Sequence, residues 1–227
     1  MENKGQSEVQ ETSEGSPPFS ILTVTLRASS LLVLSAALFH VVCLDSTRSL
    51  NATIVQTYNL ACYMRSNTTV LLNTYLSHQG VPFSNPGFSA QKLHYEGVPT
   101  VAIPFLEWRI LSDGKRLGKN YEAYSALSEF LQLVLDDQLE LNPNETELLD
   151  MLRRTQQLIQ GLLNNLTAIM TAMGVPSTAP ADPLMLDKTE ANSFEKKVRG
   201  YVVCQIYKEW VDRTVRDFSL LMKKYPV

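Results

Sequence analysis

The chain has 227 residues, a mass of 25.5 kDa and 44% hydrophobic residues, which suffices for one sizeable domain and excludes a wholly disordered protein. Its 20 basic and 23 acidic side chains give a net charge of −3, which argues against a nucleic-acid binder that depends on phosphate contacts. Three cysteines are too few for a disulfide-built miniprotein or a zinc module built on cysteine pairs.

The first 43 residues predict a leader rather than part of the folded domain. Residues 1–18 are polar, acidic and rich in Ser, Gly and Pro, so we expect them to be disordered. The apolar run 28–43 follows Arg27 and is shorter than the roughly 20 residues that span a bilayer. With Val41 and Cys43 ahead of Leu44, the run is typical of a cleaved secretory signal peptide. This interpretation predicts a secreted, extracellular domain over 44–227 that keeps no stable membrane insertion.

A membrane anchor is the alternative interpretation of the same run. Residues 19–26 would lengthen the apolar stretch if Arg27 extended its charge to the bilayer surface, as in a type II anchor. Export is supported by four N-x-S/T sequons, each an acceptor for a glycan only if it faces solvent in the secretory route. The candidate glycosylation sites are Asn51, Asn67, Asn144 and Asn165.

Prolines divide the remaining chain into four helical windows. Because proline breaks a helix interior, long helices must lie between the proline clusters, and strand signals are nearly absent. We predict helix A at about 53–79, B at about 109–137, C at about 145–173 and D at about 193–223. Helix C carries apolar residues at alternating spacings of three and four, with Asn144 as its expected N-cap and Glu147 in capping-box position. Asn192 and Glu195 predict the same arrangement at the start of helix D.

The connections predict the topology. The B–C link, about 138–143, is short, so B and C should be antiparallel neighbours, whereas the A–B and C–D links are long enough to run back along the bundle. The prediction is an all-α, long-chain four-helix bundle in which two helices run up and the next two run down.

No constellation of residues predicts catalysis, a cofactor or a metal. His40, His78 and His94 lie in different segments, and none forms a ligand pair at helical spacing. Asp136 and Asp137 are adjacent and so point to different helix faces, which favours a solvated helix end. Cys62 and Cys204 should lie about 15 Å apart along the bundle axis, too far for a disulfide bond. We therefore expect a protein that is not an enzyme and takes no small-molecule substrate.

Several segments resemble known sequences. Residues 58–64, 72–80 and 81–90 resemble neuropoietin-like members of the ciliary neurotrophic factor and cardiotrophin branch of the interleukin-6 cytokine family. Residues 120–124 and 194–197 resemble members of the same family. The resemblance runs from about Val55 to Tyr225, nearly the whole expected mature chain.

The resemblance implies a secreted ligand with three receptor-binding surfaces. Members of this branch bring together the family's common signal-transducing receptor and the leukaemia inhibitory factor receptor, and some first engage a ciliary neurotrophic factor receptor alpha subunit. The family's F-x-x-K motif, which contacts the leukaemia inhibitory factor receptor, falls on Phe194 and Lys197. Residues three apart share a helix face, although Phe194 considered alone would more often pack inward at a helix start.

The other two surfaces are less closely specified by the resemblance. The alpha-receptor surface falls on Trp108 and Arg213. Trp108 either plugs the end of the bundle or anchors a partner, and Arg213 is expected to point away from the core, with simple solvation as its alternative. The common receptor would contact the outer faces of helices A and C, where a glycan on Asn165 would obstruct it.

The function predicted is that of a cytokine that acts by clustering receptors. A membrane-anchored helical protein with a structural or adhesive role is the alternative. A helical lipid carrier is a third hypothesis, but the dense Leu and Met seam of helix C argues against the interior cavity that it requires.

Overall fold

The computed structural model describes residues 20–90, 92–176, 182–185 and 191–226, with the backbone alone between residues 20 and 48. The helices are α1 (Ser20–Ser77), α2 (Phe105–Ile110), α3 (Asp113–Leu141), α4 (Thr146–Ala172) and α5 (Ser193–Lys224), and no strand occurs in these ranges. The chain divides into two compact units, Met1–Asp45 and Ser46–Val227. In the first unit the described backbone, from residue 20 onward, is helical.

The predictions for the leader remain predictions. Residues 1–18 lie outside the described residues, and the side chains of the apolar run 28–43 are not described either. Within the part of the chain that the structure describes, we find no helix with the length and apolar character that crossing a bilayer requires.

Hydrogen bonds between helices of the second unit fix their directions. The start of this unit's part of α1 contacts the end of α5, and the end of α1 contacts the start of α5, so α1 and α5 are antiparallel. The same reasoning makes α3 antiparallel to both α4 and α5. The bonds are Asn51 to Pro226 (2.6 Å), Tyr75 to Lys197 (3.0 Å), Asn120 to Asp217 (3.0 Å), Arg199 to Asp137 (2.8 Å), Gln156 to Gln132 (3.0 Å) and Gln160 to Ser128 (2.8 Å). Helices α1 and α3 therefore run one way and α4 and α5 the other, which confirms the predicted topology.

The core is built from the helix faces that the periodicity predicts. The seam of α4 is buried along its length, at Leu148, Leu152, Thr155, Ile159, Leu162, Leu166 and Ile169. Large side chains from the other three long helices meet it, and Tyr75, Tyr124, Phe130, Tyr207 and Phe218 are fully buried.

The predicted starts of helices A and B and the predicted cap of helix C are wrong. Helix A does not begin near residue 53, because it is part of α1, which begins at Ser20. Helix B does not begin at residue 109, because Leu111 is extended and separates α2 from α3, whose N-cap is Ser112. The Ser112 hydroxyl accepts from the Lys115 N–H at 3.3 Å, which satisfies one of the free donors of a helix start. Asn144 is not the cap of α4: the chain makes a further turn, and Glu145 precedes the first helical residue, with no side-chain cap bond.

Cys62 and Cys204 do not form a disulfide bond and are free, as predicted. Cys204 is completely buried, and burial raises the pKa of its thiol to about 12. Cys62 is half-buried on α1. Cys204 therefore acts as a small apolar residue of the core.

Candidate functional site

The start of α5 is held in place by a capping box. The Asn192 side chain accepts from the N–H groups of Phe194 (2.9 Å) and Glu195 (3.0 Å), and the Glu195 carboxylate accepts from the Asn192 N–H at 2.9 Å. This confirms the predicted cap. Because three bonds fix the first turn, the direction in which Phe194 projects is fixed as well.

Phe194 projects outward and is 58% exposed, so the inward-packing alternative is wrong. Its ring leans on Phe83, whose centroid lies 5.7 Å away and which is buried. Phe83 packs in turn on Phe88 at 5.1 Å, and Phe88 on Tyr201 at 5.3 Å. Phe194 is therefore the outermost of four aromatic rings that join the A–B link to α5.

Lys197 lies beside Phe194 on the same face, as the spacing predicts, but its ammonium group already has a partner. Its Nζ donates to the backbone carbonyl of Gln79 at 2.7 Å, just beyond the end of α1. The half-buried Lys197 thus ties α5 to α1 while it places a positive charge next to an exposed ring. We call Phe194, Lys197 and the supporting Phe83 the Phe194 patch.

Further along α5, Arg199 forms a buried ion pair with Asp137 of α3. Arg199 donates through Nε and Nη2 to the carboxylate of Asp137, at 2.8–3.0 Å, and both residues are at most 4% exposed. Arg199 also donates to the hydroxyl of Tyr95 at 2.9 Å. The prediction of a solvated helix end is therefore right for the exposed Asp136 and wrong for Asp137. No local pattern indicates this pair, because its partners are 62 residues apart.

At the other end of α5, Trp108 plugs the bundle rather than projecting from it. It is 4% exposed, and its Nε1 donates to the Asp217 carboxylate at 2.7 Å. Its ring meets that of Trp210 edge to face, with centroids 5.9 Å apart. Asp217 also accepts from Asn120, and its burial raises the pKa of its carboxyl group. Of the two alternatives for Trp108, an exposed anchor is therefore wrong.

Arg213 is half-buried rather than simply solvated, and it does not point away from the core, because its side chain packs on the buried Trp108. Its guanidinium group lies 4.3 Å from the centroid of Trp108, and its Nη2 donates to the carbonyls of Val101 (2.9 Å) and Ile103 (2.7 Å). Its Nη1 is buried and has no hydrogen-bond partner among the described residues. Burial lowers the pKa of Arg213. Arg213 thus fixes the A–B link onto α5.

The surface at this end consists of residues that the sequence analysis did not single out. Phe105, Leu106 and Ile110 of α2 are 56%, 72% and 84% exposed, while Trp108 of the same helix points inward. Arg109 and Arg216 are also exposed and line a cavity of about 50 Å³ between α2 and α5. We call Phe105, Leu106, Ile110, Arg109 and Arg216 the α2 patch. Pro104 followed by Glu107 is the local sequence signal that predicts such a short helix.

The four sequons have different environments. Asn51 is buried, and its Nδ2 donates to the carbonyl of Pro226 at 2.6 Å. Asn67 and Asn165 are half-buried within α1 and α4, and Nδ2 of Asn67 donates to the Tyr63 carbonyl at 2.8 Å. Asn144 is exposed in the turn between α3 and α4.

Comparison with known proteins finds one family model and several relatives. The model of plethodontid receptivity factor PRF matches residues 17–227. The chain is 48% identical to cardiotrophin-2 of Mus musculus over 172 residues, which cover 76% of this chain and 84% of the relative. It is 34% identical to cardiotrophin-1 of Rattus norvegicus over 179 residues, 76% and 87% of the two chains. Ciliary neurotrophic factor of Mus musculus is 26% identical over 165 residues, 71% and 79% of the two chains.

Proposed function

The chain belongs to the plethodontid receptivity factor family, within the ciliary neurotrophic factor and cardiotrophin branch of the interleukin-6 cytokines, and from this premise we propose that it is secreted and signals by clustering receptors. Its relatives are cytokines rather than enzymes, and its own function is that of a cytokine that binds cytokine receptors. The proposal names those receptors: the family's common signal-transducing receptor, the leukaemia inhibitory factor receptor and a ciliary neurotrophic factor receptor alpha subunit.

The exposed Phe194 carries the proposal for the leukaemia inhibitory factor receptor. An aromatic ring that rests on a buried neighbour loses little conformational freedom when a partner covers it, and aromatic side chains are frequent hot spots of interfaces. Lys197 supplies a positive rim beside that ring. The Phe194 patch therefore has an apolar centre that a receptor can desolvate and a charge that orients the receptor.

The α2 patch is the proposed surface for the alpha subunit. The resemblance directs attention to Trp108 and Arg213, which are internal supports in this fold. The contact residues that we propose are therefore the exposed side chains that these two hold in position, Phe105 and Leu106, with Arg109 and Arg216 beside them. The arginines favour a receptor surface that carries carboxylates next to apolar side chains.

The outer faces of α1 and α4 remain the proposed surface for the common receptor. On α1, Tyr63 and Val70 are 49% and 52% exposed, and their spacing of seven residues places them on one face, two turns apart. We propose these two side chains as contacts of the common receptor.

Two double variants test the Phe194 patch and the α2 patch, each serving as the control for the other. Phe194→Ala with Lys197→Ala should weaken binding to the leukaemia inhibitory factor receptor ectodomain by about 30-fold, the equivalent of about 2 kcal/mol, and leave alpha-subunit binding unchanged. Phe105→Ala with Leu106→Ala should have the converse effect, so each variant is the control for the other. Binding is measured to each immobilised ectodomain, with helicity and thermal midpoint recorded for both variants. Unchanged binding of a folded first variant would remove the assignment of the Phe194 patch.

The mass of the product made by mammalian cells tests the export step. A chain in the medium that begins near Leu44 supports secretion. An uncleaved chain that requires detergent for extraction supports the type II membrane anchor instead.

A further inference from the structure

The four sequons differ in the state of the atom that a glycan would modify, the side-chain nitrogen Nδ2. Asn144 lies in the turn that joins α3 to α4, and its side chain is exposed. Its Nδ2 makes no hydrogen bond with any of the described residues. Thr146, which completes the sequon, is the exposed first residue of α4. A glycan on Asn144 would therefore displace only solvent.

Asn51 is the opposite case. It is 8% exposed, and its Nδ2 donates to the carbonyl of Pro226, which holds Pro226 against α1. Its Oδ1 is also buried, without a hydrogen-bond partner among the described residues. A sugar ring bonded to Nδ2 has no room at this position unless the C-terminal segment leaves α1. Glycosylation of Asn51 and the native C-terminal contact therefore exclude each other.

From this contrast we propose that Asn144 carries an N-linked glycan in the native chain and that Asn51 stays unmodified in it. The donor is a lipid pyrophosphate-linked oligosaccharide. A bond forms between Nδ2 of Asn144 and the anomeric carbon, the bond from that carbon to the lipid pyrophosphate breaks, and the amide loses one proton. The inference rests on the export step of the proposed function, because only a translocated chain meets this donor.

The order of events in the cell determines how the two sites are separated. Oligosaccharide transfer to a growing chain precedes completion of its fold, so the buried state of Asn51 cannot prevent its modification at that moment. Folding then distinguishes chains with a glycan on Asn51 from chains without one, because a chain modified on Asn51 cannot form the contact with Pro226. Such chains are retained with incompletely folded material, and secreted chains carry a free Asn51.

The experiment compares the full chain in the medium with that in the lysate of mammalian cells. Release of N-glycans with an amidase in heavy-oxygen water marks each formerly modified asparagine as a labelled aspartate, and peptide mass spectrometry then gives the occupancy of each sequon. We expect Asn144 to be modified in most secreted molecules and Asn51 in none. Any Asn51 modification is expected in the lysate alone.

Two matched variants remove the sequon but keep each asparagine. Thr146→Ala should remove the Asn144 glycan from the secreted chain, without change in helicity or thermal midpoint. Thr53→Ala should leave the glycan pattern of the secreted chain unchanged.

Secreted chain with an empty Asn144 or a modified Asn51 would overturn this inference and leave the proposed function intact. Chain that stays unmodified in the cytosol would overturn both this inference and the export step. Glycosylated chain that binds none of the three receptors would contradict the proposed receptors alone.

Discussion

Near each end of α5 lies one aromatic residue that the resemblance associates with receptor binding, Phe194 on α5 itself and Trp108 on α2, yet the fold uses the two residues in opposite ways. At the start of the helix, Phe194 lies outside, 58% exposed, on a buried ring. Beside its far half, Trp108 lies inside, 4% exposed, and the exposed apolar side chains are its neighbours on α2. The aromatic residue is itself exposed at the first end, and at the second end it supports other side chains that are exposed.

The chemistry of the two side chains and their surroundings explains the difference. A buried indole needs an acceptor for its N–H, and Asp217 provides one at 2.7 Å. Arg213 then covers the indole face and fixes the A–B link with two hydrogen bonds. Phe194 has no polar atom to satisfy, and the capping box fixes its position without burying it. The two ends are about 28 Å apart along the helix, from residue 194 to 213, so both can be occupied by separate partners.

Trp108→Ala is expected to cause the largest loss of stability among the variants that compare the two ends of α5. The substitution opens a cavity and leaves the Asp217 carboxylate and the Arg213 guanidinium group without their aromatic partner, so we expect the free energy of unfolding to fall by about 3–5 kcal/mol. Denaturant titration followed by circular dichroism measures the loss. Phe105→Ala on the same short helix is the control and should cost less than about 1 kcal/mol, because Phe105 is mostly exposed. Similar losses for both variants would contradict the inward role of Trp108.

The sequence predicts the features of the bundle that depend on local order. The proline-free windows locate four long helices, and link lengths alone indicate which of them run parallel. The seam of α4 and the cap of α5 at Asn192 are likewise local patterns, and the structure confirms both. The resemblance adds Phe194 and Lys197, whose shared face follows from their spacing.

The features that the sequence does not predict depend on residues far apart in the chain. Asp137 is expected in solvent because adjacent Asp136 and Asp137 point to different faces near a helix end, but Arg199 reaches it from another helix. Arg213 lies between apolar residues of α5, yet its partners are carbonyls of the A–B link, 110 residues earlier or more. A periodicity assigns a face to a helix but does not say which long link will cover that face.

A pair of glycine substitutions tests how closely α5 packs against α1 near the Phe194 patch. At the Phe194 end, a Cβ on Gly200 would lie 2.1 Å from the hydroxyl oxygen of Tyr75, which is fully buried and donates to the Lys197 carbonyl. Gly200→Ala must therefore displace Tyr75, and we expect the free energy of unfolding to fall by about 1–3 kcal/mol. Gly118 of α3 has nothing within 4 Å of such a Cβ.

Gly118→Ala is consequently the matched control, with an expected gain of up to about 1 kcal/mol from helix propensity. Both values come from the same denaturant titration. If Gly200→Ala does not change the free energy of unfolding, the close contact between Gly200 of α5 and Tyr75 of α1 is contradicted.

The smallest effect on stability is expected from Phe194→Ala alone. Most of the ring faces solvent, and the buried Phe83 keeps its packing on Phe88 when the ring is removed, so the free energy of unfolding should change by less than about 1 kcal/mol. Comparing the free energies of unfolding of Phe194→Ala and Trp108→Ala, measured by the same denaturant titration, shows whether the two aromatic residues have opposite roles. A loss as large as that of Trp108→Ala would make Phe194 a structural residue, and reduced receptor binding of its variants would then report a damaged fold. With the small change that we expect, reduced binding identifies Phe194 as a contact, because the surface lost its aromatic ring while the bundle beneath it stayed intact.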